Sequence, residues 1–190
     1  MNYTGLSFAE VRRALETVAR DADDTFGRLT VRQLNWRPAA DRWSVAQCFQ
    51  HLVTANDLMI KSAKDALERP QKSLWQRVPL LPAAMGWAMI RSQAPGAKGK
   101  YTAPTKAQPT TSDVPGDIIP RFVDQHRDVA EWLQRLDETR LRRVVMVSPF
   151  VSAIAYNVLD GLRLLFAHDR RHFEQARRVT QAAGFPGSPA

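Results

Sequence analysis

The sequence predicts an all-α protein built as a four-helix bundle. Three observations carry that prediction. Four long segments repeat apolar residues every three or four positions, the period of a helix with one buried face. The first two open on a serine followed three positions later by Glu or Gln, the pattern of a capping box. Only one run, residues 143–147, is strand-like, and it is too short to overturn a helical reading.

The first helix starts at Ser7, with Glu10 completing the box and Leu6 against Val11 as a hydrophobic staple. Phe8, Val11, Leu15, Val18, Ala22 and Phe26 form its apolar stripe, and Gly27 is a natural stop. Residues 29–42, with Pro38, read as a connector. Ser44 then caps the second helix with Gln47, and Val45, Cys48, Phe49, Leu52, Leu58 and Met59 supply its buried side up to Pro70. Residues 70–114 hold six of the twelve prolines. Within them, residues 75–90 are apolar enough for a short, Pro-interrupted helix, and residues 92–112 form an arm of Pro, Lys and Thr. The third helix is expected to start near 113–116, with Pro115 in its first turn and Ile119, Phe122, His126, Val129, Leu133 and Leu136 along one face. Residues 140–149 are a link. The fourth helix is expected over about 153–183, with Val158, Leu162, Leu165, Phe173, Ala176 and Val179 inward and Gly184 and Pro186 ending it. The long second connection lets the second and third helices run in the same direction.

A length of 190 residues, 44% of them hydrophobic, suits one domain with a substantial core. The single cysteine, Cys48, excludes an intrachain disulfide and fits a reducing compartment. Residues 1–16 lack the apolar core of a signal peptide, and no apolar run reaches bilayer-spanning length, so a cytoplasmic protein with no membrane partner is expected. Of the net charge of +8, the acid-free stretch 69–112 supplies +7 through Arg69, Lys72, Arg77, Arg91, Lys98, Lys100 and Lys106. Such a stretch attracts polyanions, but no zinc-finger, RNA-binding or basic-zipper pattern accompanies it, so specific nucleic-acid binding is not expected. Weak DNA attraction at low salt is expected, and removing residues 94–108 should reduce it without touching a metal site. The apolar set Trp75, Val78, Leu80, Leu81, Met85, Trp87 and Met89 is more than one bundle readily covers, which points to a homodimer.

The histidines carry the chemistry. His168 and His172 lie four apart, one turn along one helix face, where a single ion can bridge them. His51, on another helix, can complete a three-nitrogen site that leaves coordination positions open. Zinc and nickel both accept imidazole. The fourth histidine, His126, sits on the third apolar stripe and reads as a hydrogen-bonded core-edge residue, with a supporting role at the site as the alternative. Cys48 reads as a small buried hydrophobe rather than a ligand. Gln47 and Gln175 share the histidine-bearing faces and are contact candidates or ordinary polar residues. Asp160 and Asp169 can orient an imidazole or act as a base, but Arg170 and Arg171 beside Asp169 suggest a solvated face. No residue stands out as a general base, so the catalytic residues are left unassigned.

The same residues resemble a known family. Leu34-Asn35-Trp36-Arg37-Pro38, then Arg42-Trp43-Ser44-Val45-Ala46-Gln47-Cys48-Phe49-Gln50-His51-Leu52, is similar to the second-helix signature of DinB-like proteins: a Pro, a short gap, Trp-Ser, a helix, then His-Leu. His168-Asp169-Arg170-Arg171-His172-Phe173-Glu174-Gln175 resembles the fourth-helix motif of that family. The resemblance implies an up-down-down-up bundle whose divalent metal site uses His51, His168 and His172. It also implies activity as a metal-dependent hydrolase or a thiol S-transferase on a small molecule, and members that often pair. The long basic insert departs from compact members. A non-catalytic metal-binding or assembly bundle, and a binder of acidic partners through residues 69–106, are the other readings.

Overall fold

The computed structural model describes residues 1–69, 80–98 and 103–187. In chain order the described elements are α1 (Phe8–Phe26), α2 (Val31–Asn35), α3 (Val45–Glu68), α4 (Leu81–Gln93), α5 (Ile118–Leu133), α6 (Glu138–Arg143), strands β1 (Val145–Val147) and β2 (Ala155–Asn157), and α7 (Val158–Thr180). The long helices α1, α3, α5 and α7 are the four the apolar stripes foretell.

Both expected capping boxes form. Ser7 accepts from the Glu10 amide while Glu10 accepts from the Ser7 amide, and Ser44 and Gln47 do the same. A third box, Thr30 with Gln33, starts the short α2 inside the stretch read as a connector. Two helix starts lie later than expected. α5 begins at Ile118, so Pro115 precedes the helix rather than opening it. α7 begins at Val158, because residues 155–157 pair as β2 with β1, antiparallel, with Met146 opposite Tyr156. Asn157 then caps the helix by accepting from the Asp160 amide. The link at 140–149 thus carries part of a helix and one strand. Gly161 marks a close approach of α7 to the ribbon: a Cβ on it would lie 2.7 Å from Met146 Sδ and 3.3 Å from the Tyr156 ring, so a larger residue would make those side chains shift.

α1 packs on α5 and α7, and α3 packs on the same two helices, so α1 and α3 stand diagonally across the bundle. Side-chain pairs give the directions. Arg163 donates to the Leu6 carbonyl, Arg170 pairs with Asp21, and Phe173 meets Phe26, so α1 and α7 advance together. On α3 and α7 the pairs His51–His172 and Asn56–Asp169 run oppositely, and Met59 further along α3 meets Tyr156 of β2, just ahead of α7. On α3 and α5, Phe49–Phe122 and Lys64–Trp132 advance together. The order is therefore up-down-down-up. The core between the helices is dominated by fully buried aromatic and branched residues, with Phe49 edge-on to both Phe26 and Phe122.

α4 lies against α7 and β2. Of the apolar set proposed for pairing, Ile90 next to it is buried and Met89 packs against the core, whereas Leu80 is 82% and Trp87 53% exposed. Trp75 and Val78 lie outside the described residues, as do Lys72, Arg77 and Lys100 of the basic run. Beyond α4, residues 103–114 form a strap tied along α3 and α2. The Thr110 amide donates to Gln50, Gln47 donates to the Thr110 carbonyl, and Asn35 exchanges two hydrogen bonds with Val114. Among the described residues no helix is long and apolar enough to cross a membrane.

Candidate metal centre

α3 and α7 bring His51, His168 and His172 together. One ring nitrogen from each lies within 4.8 Å of the others. His168 and His172 meet because they are one turn apart on α7, with ring centroids 4.6 Å apart. His51 meets them because α3 runs antiparallel to α7 at the same level, its ring 5.0 Å from His168 and 4.7 Å from His172.

The orientation of His51 is fixed from outside the pair of helices. Its Nδ1–H donates to the Ala107 carbonyl at 2.5 Å, which leaves Nε2 with the lone pair. That Nε2 lies 3.1 Å from Nε2 of His168. Two imidazole nitrogens on one tetrahedral ion, each at about 2.05 Å, stand roughly 3.3 Å apart, so the spacing suits a shared ion. His172 contributes a buried Nδ1 with no hydrogen-bond partner among the described residues. A buried ring nitrogen without a hydrogen-bond partner is rare, and it suits a ring that serves as a ligand. Trp43 walls the cluster: its ring stacks on His172 at 5.6 Å and 22°, and tilts against His51 at 5.1 Å.

The rings are held neutral, the form that binds metals. Burial pushes the pKa of His51 down, against the opposing Ala107 hydrogen bond and the field of Asp169. Burial, then His172, His51 and Arg171, hold His168 well below the ordinary value of 6.5. Burial, then His51 and Arg171, lower His172 to about 3, with Gln175 beside the ring opposing them. This has a consequence for stability. Below pH 6.5 the unfolded chain takes up protons that the folded imidazoles refuse, so acid favours unfolding. Metal-free protein is expected to lose stability progressively as pH falls from about 6.5, with the His172 contribution gone only near pH 3. Urea midpoints at about pH 7.5, 6 and 5 check this, and an unchanged midpoint would contradict it.

The strap corrects the expectation for the basic arm. Residue 107 contributes the acceptor that fixes His51, so the arm is part of the centre and not an appendage. Deleting residues 94–108 is therefore expected to weaken metal affinity, by about 10–100-fold as is usual for loss of a ligand's orienting partner. Competition with a chromophoric chelator measures it; unchanged affinity would restore the earlier view.

Other sequence candidates divide clearly. His126 is a core histidine, as expected: Nδ1–H donates to the Phe122 carbonyl and Nε2 faces Asp169 at 2.9 Å. Asp169 overturns its expectation of solvent exposure. It is 0% exposed, accepting from Asn56 on one oxygen and His126 on the other. Cys48 is buried and its thiol is pushed up to about 12 by burial, which makes it a hydrophobe in practice. Gln47 serves the Ser44 cap and the strap. Asp160 pairs with Arg163 and Asn157 at the start of α7, away from the cluster. Gln175 lines the cleft described next.

The cluster opens into a cleft of about 590 Å³, a size that admits small organic molecules. Asn56, Met59, Met89, Phe150, Tyr156 and Leu164 are among its walls, with Asp41 and Arg42 also in the lining and exposed. Sequence reasoning missed Asn56, although a polar residue between Ala55 and Met59 on a buried helix face is a signal of a lined cavity.

Comparison with known proteins follows this geometry. A family model described as the DinB superfamily matches residues 14–176. Among solved structures the chain is similar to YfiT from Bacillus subtilis, described as a probable metal-dependent hydrolase with an unusual four-helix bundle topology. The two share 13% identity and a TM-score of 0.63 over 95% of this chain and 91% of that one, a likeness of fold. No curated protein matches the chain.

Proposed function

As the chain belongs to the DinB superfamily, we propose that it is a metal-dependent enzyme in which His51, His168 and His172 hold one divalent ion, zinc or nickel, at the inner end of the cleft. The observation that carries the reading is the convergence of three neutral imidazoles, one already fixed in its tautomer, on an open cleft. A divalent ion on three neutral ligands supplies Lewis acidity that lowers the pKa of a small nucleophile beside it.

The chain's own residues do the rest. The Ala107 carbonyl holds His51 in place, Trp43 packs against two of the rings, and the apolar walls limit water around the reacting groups. Hydrolysis and transfer of a low-molecular-weight thiol to an electrophile both need this arrangement, and both are open to it. Asp41 is the one carboxylate among the described residues of the lining, and it is exposed. This favours chemistry that relies on the ion, more than on a buried carboxylate base, to generate the nucleophile.

The test is metal content first and turnover second. Protein purified without a histidine tag should retain an ion that a His51→Ala/His168→Ala variant does not. Ester and amide panels, and thiol-plus-electrophile panels, then separate hydrolase from transferase, with turnover lost in the variant. Wild type that retains no more metal than the variant would sink the reading. Metal retention with neither activity would favour the non-catalytic bundle.

A further inference from the structure

Asn56 carries a hydrogen-bonding group that neither the fold nor the metal centre uses. It lies on α3 five residues beyond His51, about 7.5 Å further along the axis at the rise of an α-helix. It is 1% exposed and lines the cleft. Its amide has a fixed orientation, because Nδ2 donates to Oδ1 of Asp169 at 3.0 Å. A carboxylate only accepts, so the nitrogen must face Asp169 and the carbonyl must point elsewhere. That carbonyl, Oδ1, has no hydrogen-bond partner among the described residues, yet it is not sealed in the interior as Nδ1 of His172 is. For a side chain this buried, the opening is the cleft it lines. The other buried polar groups of the lining beside the histidines are engaged. Tyr156 donates to Met59 Sδ, and Ser148 Oγ accepts from the amides of Phe150 and Val151.

The Asp169 carboxylate strengthens this acceptor. Hydrogen bonds in series polarise one another, and an amide whose nitrogen donates to a buried carboxylate carries more negative charge on its oxygen. An acceptor unmatched in an apolar site costs free energy. A ligand that brings a donor to it removes that cost, and a ligand with a methylene at the same place does not.

We propose that Oδ1 of Asn56 receives an N–H or O–H donor of the substrate, close to the group that reacts at the histidines, with the apolar remainder along Met59, Phe150 and Leu164. The assignment rests on reading the cleft as the active site. The substrate class is then a small, largely apolar compound with a hydrogen-bond donor beside its reacting group, such as a carboxamide with one N–H.

Calorimetric titration with N-methyl-4-phenylbutanamide and with 6-phenylhexan-3-one, in which a methylene replaces the N–H, tests this on zinc-loaded and on zinc-free protein. Asn56→Ala is expected to weaken the amide about three- to tenfold, the usual worth of one neutral hydrogen bond, and to leave the ketone unchanged. Equal losses for the two compounds, or no loss for either, would overturn the proposal. So would wild type that does not bind the amide at millimolar concentration. Should Asn56→Ala fail to fold, because Asp169 has lost a donor, the Asn56 Cγ signal of carbon-13-labelled wild type decides. It moves downfield with the amide alone if Oδ1 takes the donor; the same shift with both compounds, or none with either, overturns the assignment. The metal reading fails separately. Protein that binds no zinc yet shows the selective loss in Asn56→Ala keeps this proposal and loses the other, and zinc-loaded protein without that selectivity does the reverse.

Discussion

His168→Ala is expected to lower affinity for a divalent ion by more than about 100-fold, because even orienting partners of a ligand are worth 10–100-fold and His168 is itself one of three. Wild type is expected to bind about one ion per chain, as a single three-nitrogen centre allows. The fold should not follow the metal. The helices are held by apolar faces that do not involve the histidines, such as the Phe26–Phe49–Phe122 cluster. Removing the His168 ring also relieves a contact between two desolvated imidazole nitrogens 3.1 Å apart. Metal-free variant should therefore melt at or near the wild-type temperature with full helical signal. The difference appears on adding zinc. At 100 times its Kd, an ion stabilises wild type by about 2.7 kcal/mol, or roughly 5–10 °C for a chain of this size, and the variant should show almost none of it at the same concentration. Scanning calorimetry with and without zinc reads both. A variant that unfolds without its histidine would show the centre to be structural.

Much of the bundle was legible because its determinants are local. Ser7 with Glu10 and Ser44 with Gln47 mark helix starts within four residues, and each stripe repeats along one segment. The Thr30–Gln33 box was equally local but starts a helix of five residues, too short for any stripe to announce it. The ribbon was only half legible: β1 falls in the strand-like run 143–147, whereas nothing local announced β2. Its strands are three residues long, and what keeps residues 155–157 out of α7 is pairing with a segment ten positions upstream. The histidine cluster was half local: the spacing of His168 and His172 is a property of one helix, whereas the approach of His51 needs the antiparallel packing of α3 on α7. The Ala107 carbonyl leaves no trace in the sequence, since every residue has one. Asp169 was misread for a geometric reason. Successive residues on a helix point about 100° apart, so charged neighbours at 170 and 171, themselves half-buried, say little about the direction of 169. The residues at helical distance, Leu165, Phe166, His172 and Phe173, are all buried and were the better guide.

Asp169→Ala is the substitution expected to cost the most stability. The side chain lies at the junction of α3, α5 and α7, accepting from Asn56 Nδ2 at 3.0 Å and facing His126 Nε2 at 2.9 Å. The other nitrogen of His126 faces the Phe122 carbonyl at 2.9 Å, so the ring is held from both sides by buried oxygens. Truncating the carboxylate strands two buried donors at once, on residues that are 1% and 2% exposed and beyond the reach of bulk water. Removing one member of a buried pair typically costs about 3–5 kcal/mol, a large part of the stability of a domain. Asp169→Asn should cost less, because its amide oxygen still accepts one hydrogen bond, while His126→Ala should cost about as much as Asp169→Ala. The double variant should be less destabilised than the sum of the two, because each single change already breaks the shared interaction. Urea denaturation of the four proteins in metal-free form measures the cycle without involving the ion. Additive losses, or an Asp169→Ala cost below about 1 kcal/mol, would mean that the three helices are held at this junction by apolar packing alone.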